Sequence, residues 1–499
     1  MTGLPMPSQQ IDADVRGFAV ERDPRLRFII PGIVAVAFLM EQLDQTIIVT
    51  AVPQMAQSLG VSPLALNLAI TTYILALAIF IPVSGWFADR FGARRIFMLA
   101  LGVFTLGSIL CGAAQNFPML IVTRALQGFG GAMMTPVGRL ILIRSFPRAQ
   151  LITAMTYMTL PAIVGPVVGP LLGGVLTTYL SWRWVFYVNI PFGVIGILLA
   201  LRFLEDTRSD AAAKFDFPGF LMVGIGFCLL EYGIENVGRP AIPLPAVALV
   251  LALAIGLLAA FFLYARRVAD PAVDLTLFQQ RSFRISTLFG GICRVGYNGV
   301  PFILPLMLQV GFGVTPIVSG ALTFVSALSS LIVRPVLTHG LKRFGFKAAL
   351  IVSAIAGFFV VGAFAFIGPE TPYWGIVALI AVFGLCRSAQ FMTSNTLSYA
   401  DVPAEKLSRA TSLGGVIQQL SVSFGVSIAA MLLGLVTWGG APLTTDRFHE
   451  VFLLAAVVPL LGIPGFLFLK PEDGAHVSGH RGKTADEAVA EAGSEGQSM

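Results

Sequence analysis

Apolar runs long enough to cross hydrocarbon recur along almost the whole chain, and that repetition limits its fold before any motif is considered. A helix needs about 20 apolar residues to traverse a bilayer core of about 30 Å. Such runs lie at 28–50, 65–87, 96–115, 118–138, 152–178 and 184–204, then at 217–236 and 243–265. Six more follow at 284–309, 316–338, 347–367, 372–396, 408–437 and 449–469. Only 12% of the residues are charged and 56% are hydrophobic, too little polar surface for a water-soluble domain of this length. In lipid the backbone must satisfy its own hydrogen bonds, and runs of this length do so as helices. The expected class is an all-α polytopic membrane protein with fourteen transmembrane helices.

The net charge of +6 is spread over short loops and forms no stripe, so nucleic acid is not an expected partner. Its distribution instead predicts orientation. Alternate loops on the side of the N-terminus hold 25 Lys and Arg, and the opposite side holds only Arg183, Arg239 and Arg447. By the positive-inside rule both termini are cytoplasmic and the number of crossings is even. The first apolar run follows an Arg-bearing head and lacks a small-residue cleavage site, which makes it a span rather than a removable signal. Cys111, Cys228, Cys293 and Cys386 all fall inside apolar runs without metal-ligand spacing, and are expected to be free thiols.

The chain also repeats itself. Pro82-Val83 and Arg90-Phe91-Gly92 recur as Pro335-Val336 and Arg343-Phe344-Gly345, both at an offset of 253 residues. The matching topological position predicts two homologous six-helix bundles with a helix pair inserted between them. The expected organisation is a cytoplasmic tail over 1–27, an N-terminal bundle over 28–206 and a loop with two inserted helices over 207–266. A C-terminal bundle over 267–470 and a disordered polar tail over 471–499 complete it.

Five motifs carry chemistry. The loop after the second span reads Gly85-Trp86-Phe87-Ala88-Asp89-Arg90-Phe91-Gly92-Ala93-Arg94-Arg95, a helix end with an acid, a turn glycine and a basic cluster at the membrane boundary. It is either a positive-inside anchor or a charge-relay latch that breaks when bundles rock. Arg124-Ala125-Leu126-Gln127-Gly128-Phe129-Gly130 lies in the fourth span, and Gly165, Gly169, Pro170, Gly173 and Gly174 punctuate the fifth. Leu43-Asp44-Gln45-Thr46 lies in the first span, and Trp182-Arg183-Trp184 leads to Asn189-Ile190-Pro191 before the sixth. Together these resemble the signatures of the major facilitator superfamily, specifically its fourteen-helix drug:proton antiporters of the EmrB/QacA type. Within them the chain looks most like the MdtD-like multidrug exporters. Phe87 and Ala93 depart from the loop pattern, at positions where the family has Leu and a basic residue. The resemblance implies a major facilitator fold, a bacterial inner-membrane location and a fifth helix that seals the cavity against proton leak.

The residues carry their own argument. Glu41 and Asp44 are three apart and share a helix face, and charges at bilayer depth line an interior path unless they are paired. Arg124, at a similar depth, is the natural partner of Asp44, in either a proton-coupling switch or a permanent ion pair. The 253-residue offset carries Glu41 onto Arg294, so these two are expected to face each other across the bundle interface as counter-ions. Arg387 is a second mid-membrane cation, for an anionic group or for backbone carbonyls. Glu231, in the inserted pair, is expected to face lipid or packing, outside transport. Tyr73, Tyr297, Asn298, Gln390, Asn395, Gln418 and Gln419 are the polar residues expected to line a cavity. The four glycines and two prolines between Gly165 and Gly174 predict a bent helix in close contact with its neighbours.

The leading function is proton-coupled export of small, drug-like molecules, with no cofactor beyond the proton as coupling ion. An importer or facilitator of one metabolite, or a membrane sensor, are the alternatives. Neither a nucleotide-binding loop nor a catalytic triad is present in the sequence, so an ATP-driven pump or an enzyme is not expected. The expected partners are lipid, a small-molecule substrate and protons; an accessory periplasmic adaptor is left open.

Overall fold

Each apolar run becomes helix in the computed structural model, which describes residues 20, 23–205, 215–237, 242–268, 271–403, 406–437, 442–470 and 472–478. The first half contains α1 (Leu26–Ile47), α2 (Asn67–Phe91), α3 (Ala93–Gly112), α4 (Phe117–Ser145), α5 (Arg148–Tyr179) and α6 (Asn189–Phe203). Next come α7 (Phe217–Asn236) and α8 (Leu244–Ala265). The second half contains α9 (Arg281–Leu306), α10 (Pro316–Ser330), α11 (Val333–Ala363), α12 (Tyr373–Ala400), α13 (Leu407–Val436) and α14 (Thr445–Val457).

Among the described residues, eleven helices are long and apolar enough to cross a membrane, and Val164–Tyr179 and Pro316–Ser330 are shorter apolar helices. The α4 helix is not among the eleven, because Arg124, Gln127 and a series of glycines lower its apolarity. Length and apolarity therefore establish a multi-pass helical protein without fixing fourteen crossings. All four cysteines are free.

Local sequence explains several helix ends. Asn116 caps α4 by accepting from Met119 N at 2.9 Å, with Pro118 in the first turn. Asp216 caps α7 through Gly219 N at 3.0 Å and also accepts from Tyr264 Oη at 2.7 Å and Ala272 N at 2.9 Å. One carboxylate thus ties together both ends of the inserted pair. Along α8 the buried residues include Val247, Ala254 and Phe261, a seven-residue seam against α7. On the partner helix, Gly226 and Gly233 approach Leu258 and Leu251.

Helices α1 to α6 pack mainly on one another, as do α9 to α14. The two groups meet where α5 lies on α10 and α2 lies on α13, and α7 rests on both α2 and α13. One end of the assembly carries Arg90, Arg94, Arg144, Arg281 and Lys347. The opposite, Arg-poor end carries Thr50, Asn67, Thr178 and Pro316.

Backbone geometry reproduces the internal repeat. Gly92 has φ 97° and ψ 131°, and Gly345, offset by the same 253 residues, has φ 72° and ψ 175°. Gly92 breaks the helical path between α2 and α3, and Gly345 kinks it within α11, each in a backbone region that favours glycine. Arg90 lies 5.9 Å from the Phe91 ring and Arg343 lies 5.4 Å from the Phe344 ring. Arg94 donates to Leu201 O at 2.5 Å, and Lys347 at the equivalent position donates to Leu467 O at 2.7 Å. Substituting Ala at Gly92 or Gly345 is expected to cost about 1–3 kcal/mol from backbone strain alone. Thermal unfolding of the purified variants would reveal this as a lowered midpoint; unchanged midpoints would refute it.

The segment after the last helix departs from the disordered tail expected from 471 onward. Asp473 accepts from Arg281 Nη2 at 2.6 Å and from Lys470 N at 2.8 Å, and residues 472–478 fold back on the bundle. Charge pairing rather than apolarity orders them, which a compositional criterion does not detect. Residues 1–19, 21–22, 471 and 479–499, the remaining parts of the expected tails, lie outside the described residues.

Candidate functional site: a sealed charge network

Asp44 and Arg124 come together at the centre of the N-terminal half, where both side chains are at most 1% exposed. Arg124 Nη1 donates to Asp44 Oδ2 at 2.7 Å and to Gln127 Oε1 at 2.7 Å, while its Nε donates to the Ala69 carbonyl at 3.1 Å. The other carboxylate oxygen, Oδ1, accepts from Gln127 Nε2 at 2.8 Å and from Asn189 Nδ2 at 3.3 Å. Ser108 Oγ lies 2.8 Å from Gln127 Nε2 and accepts from it. The Tyr73 ring lies 4.3 Å from the guanidinium carbon, adding a cation–π contact within the same shell. Three donors, from Arg124, Gln127 and Asn189, are thus directed at the Asp44 carboxyl group.

The helices supply this set by close approach. Gly107 admits the Gln127 backbone of α4, and Gly128 fits against the Tyr73 carbonyl of α2. A side chain at either glycine would push apart the helices that aim Asp44 and Arg124 at each other. Gln127 and Asn189 belong to recognisable motifs, yet their convergence on Asp44 could not be read from spacing, because α4 and α6 are joined to α1 only in space. Ser108 gave no signal at all.

Glu41, one turn from Asp44, accepts from Thr135 Oγ1 at 2.5 Å. Its expected counter-ion Arg294 is also buried but lies over the Phe391 ring at 5.9 Å, and no ion pair joins it to Glu41 among the described residues. The pseudo-symmetric placement brings both residues to buried positions without bringing them together, since a hydroxyl on α4 satisfies the acid first.

The remaining candidates divide between packing and less buried positions. Tyr73 is fully buried beneath Arg124. Tyr297 donates to Ser353 O at 2.6 Å, and Gln390 accepts from Ser353 Oγ at 2.5 Å, which ties both into the interior of the C-terminal half rather than a cavity wall. Gln419 is buried as well, whereas Asn298, Arg387, Asn395 and Gln418 are half-buried.

In the last turns of α2, Asp89 accepts from Arg144 Nη2 at 2.6 Å, joining the ends of α2 and α4, while Arg90 lies 5.6 Å from the Trp86 ring. Gly85 has open space where a side chain would project. The α5 glycines form a contact surface on two sides. Gly165 and Gly169 meet α1 between Gln42 and Ile47, and Gly173 meets Ile47 at its end and Thr50 in the turn that follows. Gly174 faces Pro316 and Ile317 of α10, and Gly320 of α10 in turn faces the Pro170 carbonyl. Among the described residues, two hydrogen bonds join the halves at the Arg-poor end. Gln309 Nε2 donates to Thr50 O at 3.1 Å, and Ile317 N donates to Thr178 Oγ1 at 3.2 Å.

A helical membrane protein with paired halves, a buried acid–base network and close glycine contacts between the halves has the construction of a transporter. Residues 34–426 match the model of the Major Facilitator Superfamily, and the chain belongs to that family of membrane transporters. It is similar to the "Putative multidrug resistance protein MdtD" of Pectobacterium atrosepticum, with 38% identity over 440 residues, 87% of this chain and 94% of that one. The proteins of the same name from Klebsiella pneumoniae and Escherichia coli are 36% and 35% identical. These comparisons cover 88% and 89% of this chain, and 94% of each relative. A crystal structure of a mutant of the nucleoside transporter NupG shares the fold, with a TM-score of 0.62 at 14% identity, over 88% of this chain and 99% of that one.

Proposed function

We propose that this transporter exports small amphipathic or drug-like molecules in exchange for protons, by alternating access of its two halves. In this reading it crosses a bacterial inner membrane fourteen times with both termini in the cytoplasm, so that the Arg-rich end faces the cytoplasm. The observation that carries the proposal is the Asp44–Arg124 network, a buried carboxylate whose charge is balanced by one guanidinium. Protonating Asp44 would release Arg124 to its other acceptors, and losing the proton would restore the pair. Such an exchange couples proton occupancy to the packing of α1 against α4. The tight α5–α10 contact supports a rocking interface that closes the Arg-poor end, and the multidrug name of the relatives supports the substrate class.

Asp44→Asn keeps the side-chain shape and removes the titratable proton. Reconstituted vesicles carrying this variant are expected to lose proton release driven by lipophilic cations, while the protein remains monodisperse. Equal proton flux in wild type and variant would remove the proton-coupling role of Asp44. No substrate-driven flux in either, across cations and acids, would remove the antiporter reading.

A further inference from the structure

A cation without a partner sits in the middle of the second half. Arg294 lies halfway along α9 and is 6% exposed, and its Nε is buried without an acceptor. The guanidinium makes no hydrogen bond or ion pair among the described residues. Its neighbour is the Phe391 ring of α12, 5.9 Å from the guanidinium carbon. An isolated charge at bilayer depth is costly, so an arginine kept there without a protein acceptor points to one supplied from outside.

The half that holds Arg294 has no deep acid to offer it. Helices α9 to α13 contain no Asp or Glu, and Asp446 and Glu450 lie in the first two turns of α14, at the Arg-poor end. This half repeats the layout of the first without its carboxylate. The 253-residue offset carries Asp44 onto Tyr297, and Arg387 and Gln390 on α12 have the spacing of Arg124 and Gln127 on α4. Tyr297 donates to a backbone carbonyl, and Arg387, like Arg294, has no hydrogen bond or ion pair among the described residues. The second half therefore carries an excess of positive charge at depth.

The deep acids of the other helices are engaged elsewhere. Asp44 holds Arg124, and Glu41 accepts from Thr135. On α7, Glu231 was expected to face lipid or packing, but it accepts from Ser423 Oγ at 2.8 Å and also from Ser427, both on α13. Glu235 accepts from Asn67 Nδ2 at 3.1 Å and Thr71 Oγ1 at 2.6 Å, both on α2. The two α7 glutamates thus face the two halves near the Arg-poor end, and neither pairs with Arg294.

What surrounds Arg294 suits the charged head of a molecule with an apolar body. Phe391, Asn395 and Tyr399 follow at four-residue spacing along one face of α12, all half-buried, and the Asn395 amide has no hydrogen bond among the described residues. Tyr399 lies within electrostatic reach of Arg294 and of Arg139 on α4, so this face extends toward the other half. A guanidinium presents its N–H donors in a planar fork that matches a carboxylate. We infer that Arg294 binds the carboxylate of an amphipathic organic anion, with the Phe391 ring packing on its apolar body. The inference rests on the export reading and names the class of molecule carried; it needs no role for Asp44.

The test is titration calorimetry on the full-length protein in phosphatidylcholine nanodiscs, which offer no anionic lipid as a competitor. The probes share one aromatic body and differ in head group: naphthoate, naphthylmethanol and naphthylmethyl-trimethylammonium. The carboxylate is expected to bind about ten-fold tighter than either of the others, the worth of a hydrogen bond to a charged group. Arg294→Met, of similar length without the charge, is expected to bring naphthoate down to the affinity of the alcohol and to leave the alcohol unchanged. Arg294→Lys is expected to keep part of the preference. Without ligand, Arg294→Met is expected to melt no lower than wild type, because it removes a buried charge that no protein group balances. Equal affinities for the probes, no binding of naphthoate, or a carboxylate preference that survives in Arg294→Met would overturn the assignment. A variant that melts lower or fails to fold would do the same, by exposing a structural partner for Arg294. These measurements use no proton gradient, so absent substrate-driven proton flux would sink the antiporter proposal while leaving the binding result standing.

Discussion

Arg124→Ala is expected to destabilise the protein by about 3–5 kcal/mol, the cost of breaking a buried ion pair by removing one member. The substitution leaves Asp44 with amide donors only, at a site with essentially no solvent access. It also empties the space against the Tyr73 and Phe186 rings and frees the Ala69 carbonyl. Adding Asp44→Asn to the alanine variant removes the stranded charge and is expected to restore much of the stability without restoring proton-coupled transport. Thermal unfolding in detergent, paired with flux in vesicles, separates the two effects. A double variant no more stable than Arg124→Ala would show that lost packing, rather than the unpaired charge, dominates.

Gly174→Ala is expected to act on the conformational equilibrium. A β-carbon there would lie 2.5 Å from the Pro316 carbonyl oxygen and 2.9 Å from Ile317 Cα, both backbone atoms of α10. Neither can yield without moving α5 away from α10, and overpacking of this kind costs about 1–3 kcal/mol. If that cost falls on the closed Arg-poor end alone, one to two kcal/mol of it shifts the population toward the open arrangement by a factor of about 5–30. Reduced cross-linking between the ends of α5 and α10, with slower transport, is the expected result. Gly85→Ala is the matched control, since a β-carbon there meets no atom within 4 Å. Equal cross-linking in the two variants would contradict the argument.

The signals available in the sequence were those with a strong physical cause and short range. Hydropathy located the helices, because lipid admits almost no other backbone arrangement. The pairing of Asp44 with Arg124 was legible because each charge at that depth requires a partner. The same reasoning proposed Arg294 for Glu41, and there a local hydroxyl, Thr135, stands in place of the counter-ion. It also read Glu231 as lying outside the working interior. Nothing in an apolar 20-residue helix reveals which face meets a groove lined by serines from a helix almost 200 residues away.

The sequence by itself determined the helical class, the two-fold repeat and the need for a partner at Asp44, since each follows from periodicity, offset or the energetic cost of an isolated charge. Only the tertiary structure decided which polar groups complete the network around that acid. It also decided that Tyr73, Tyr297 and Gln390 pack inward and that α7 presents its two glutamates to both halves. The reason is that helices in lipid present similar apolar faces to every neighbour. Their partners are therefore selected by close glycine contacts and hydrogen-bond geometry, which exist only once the helices are packed.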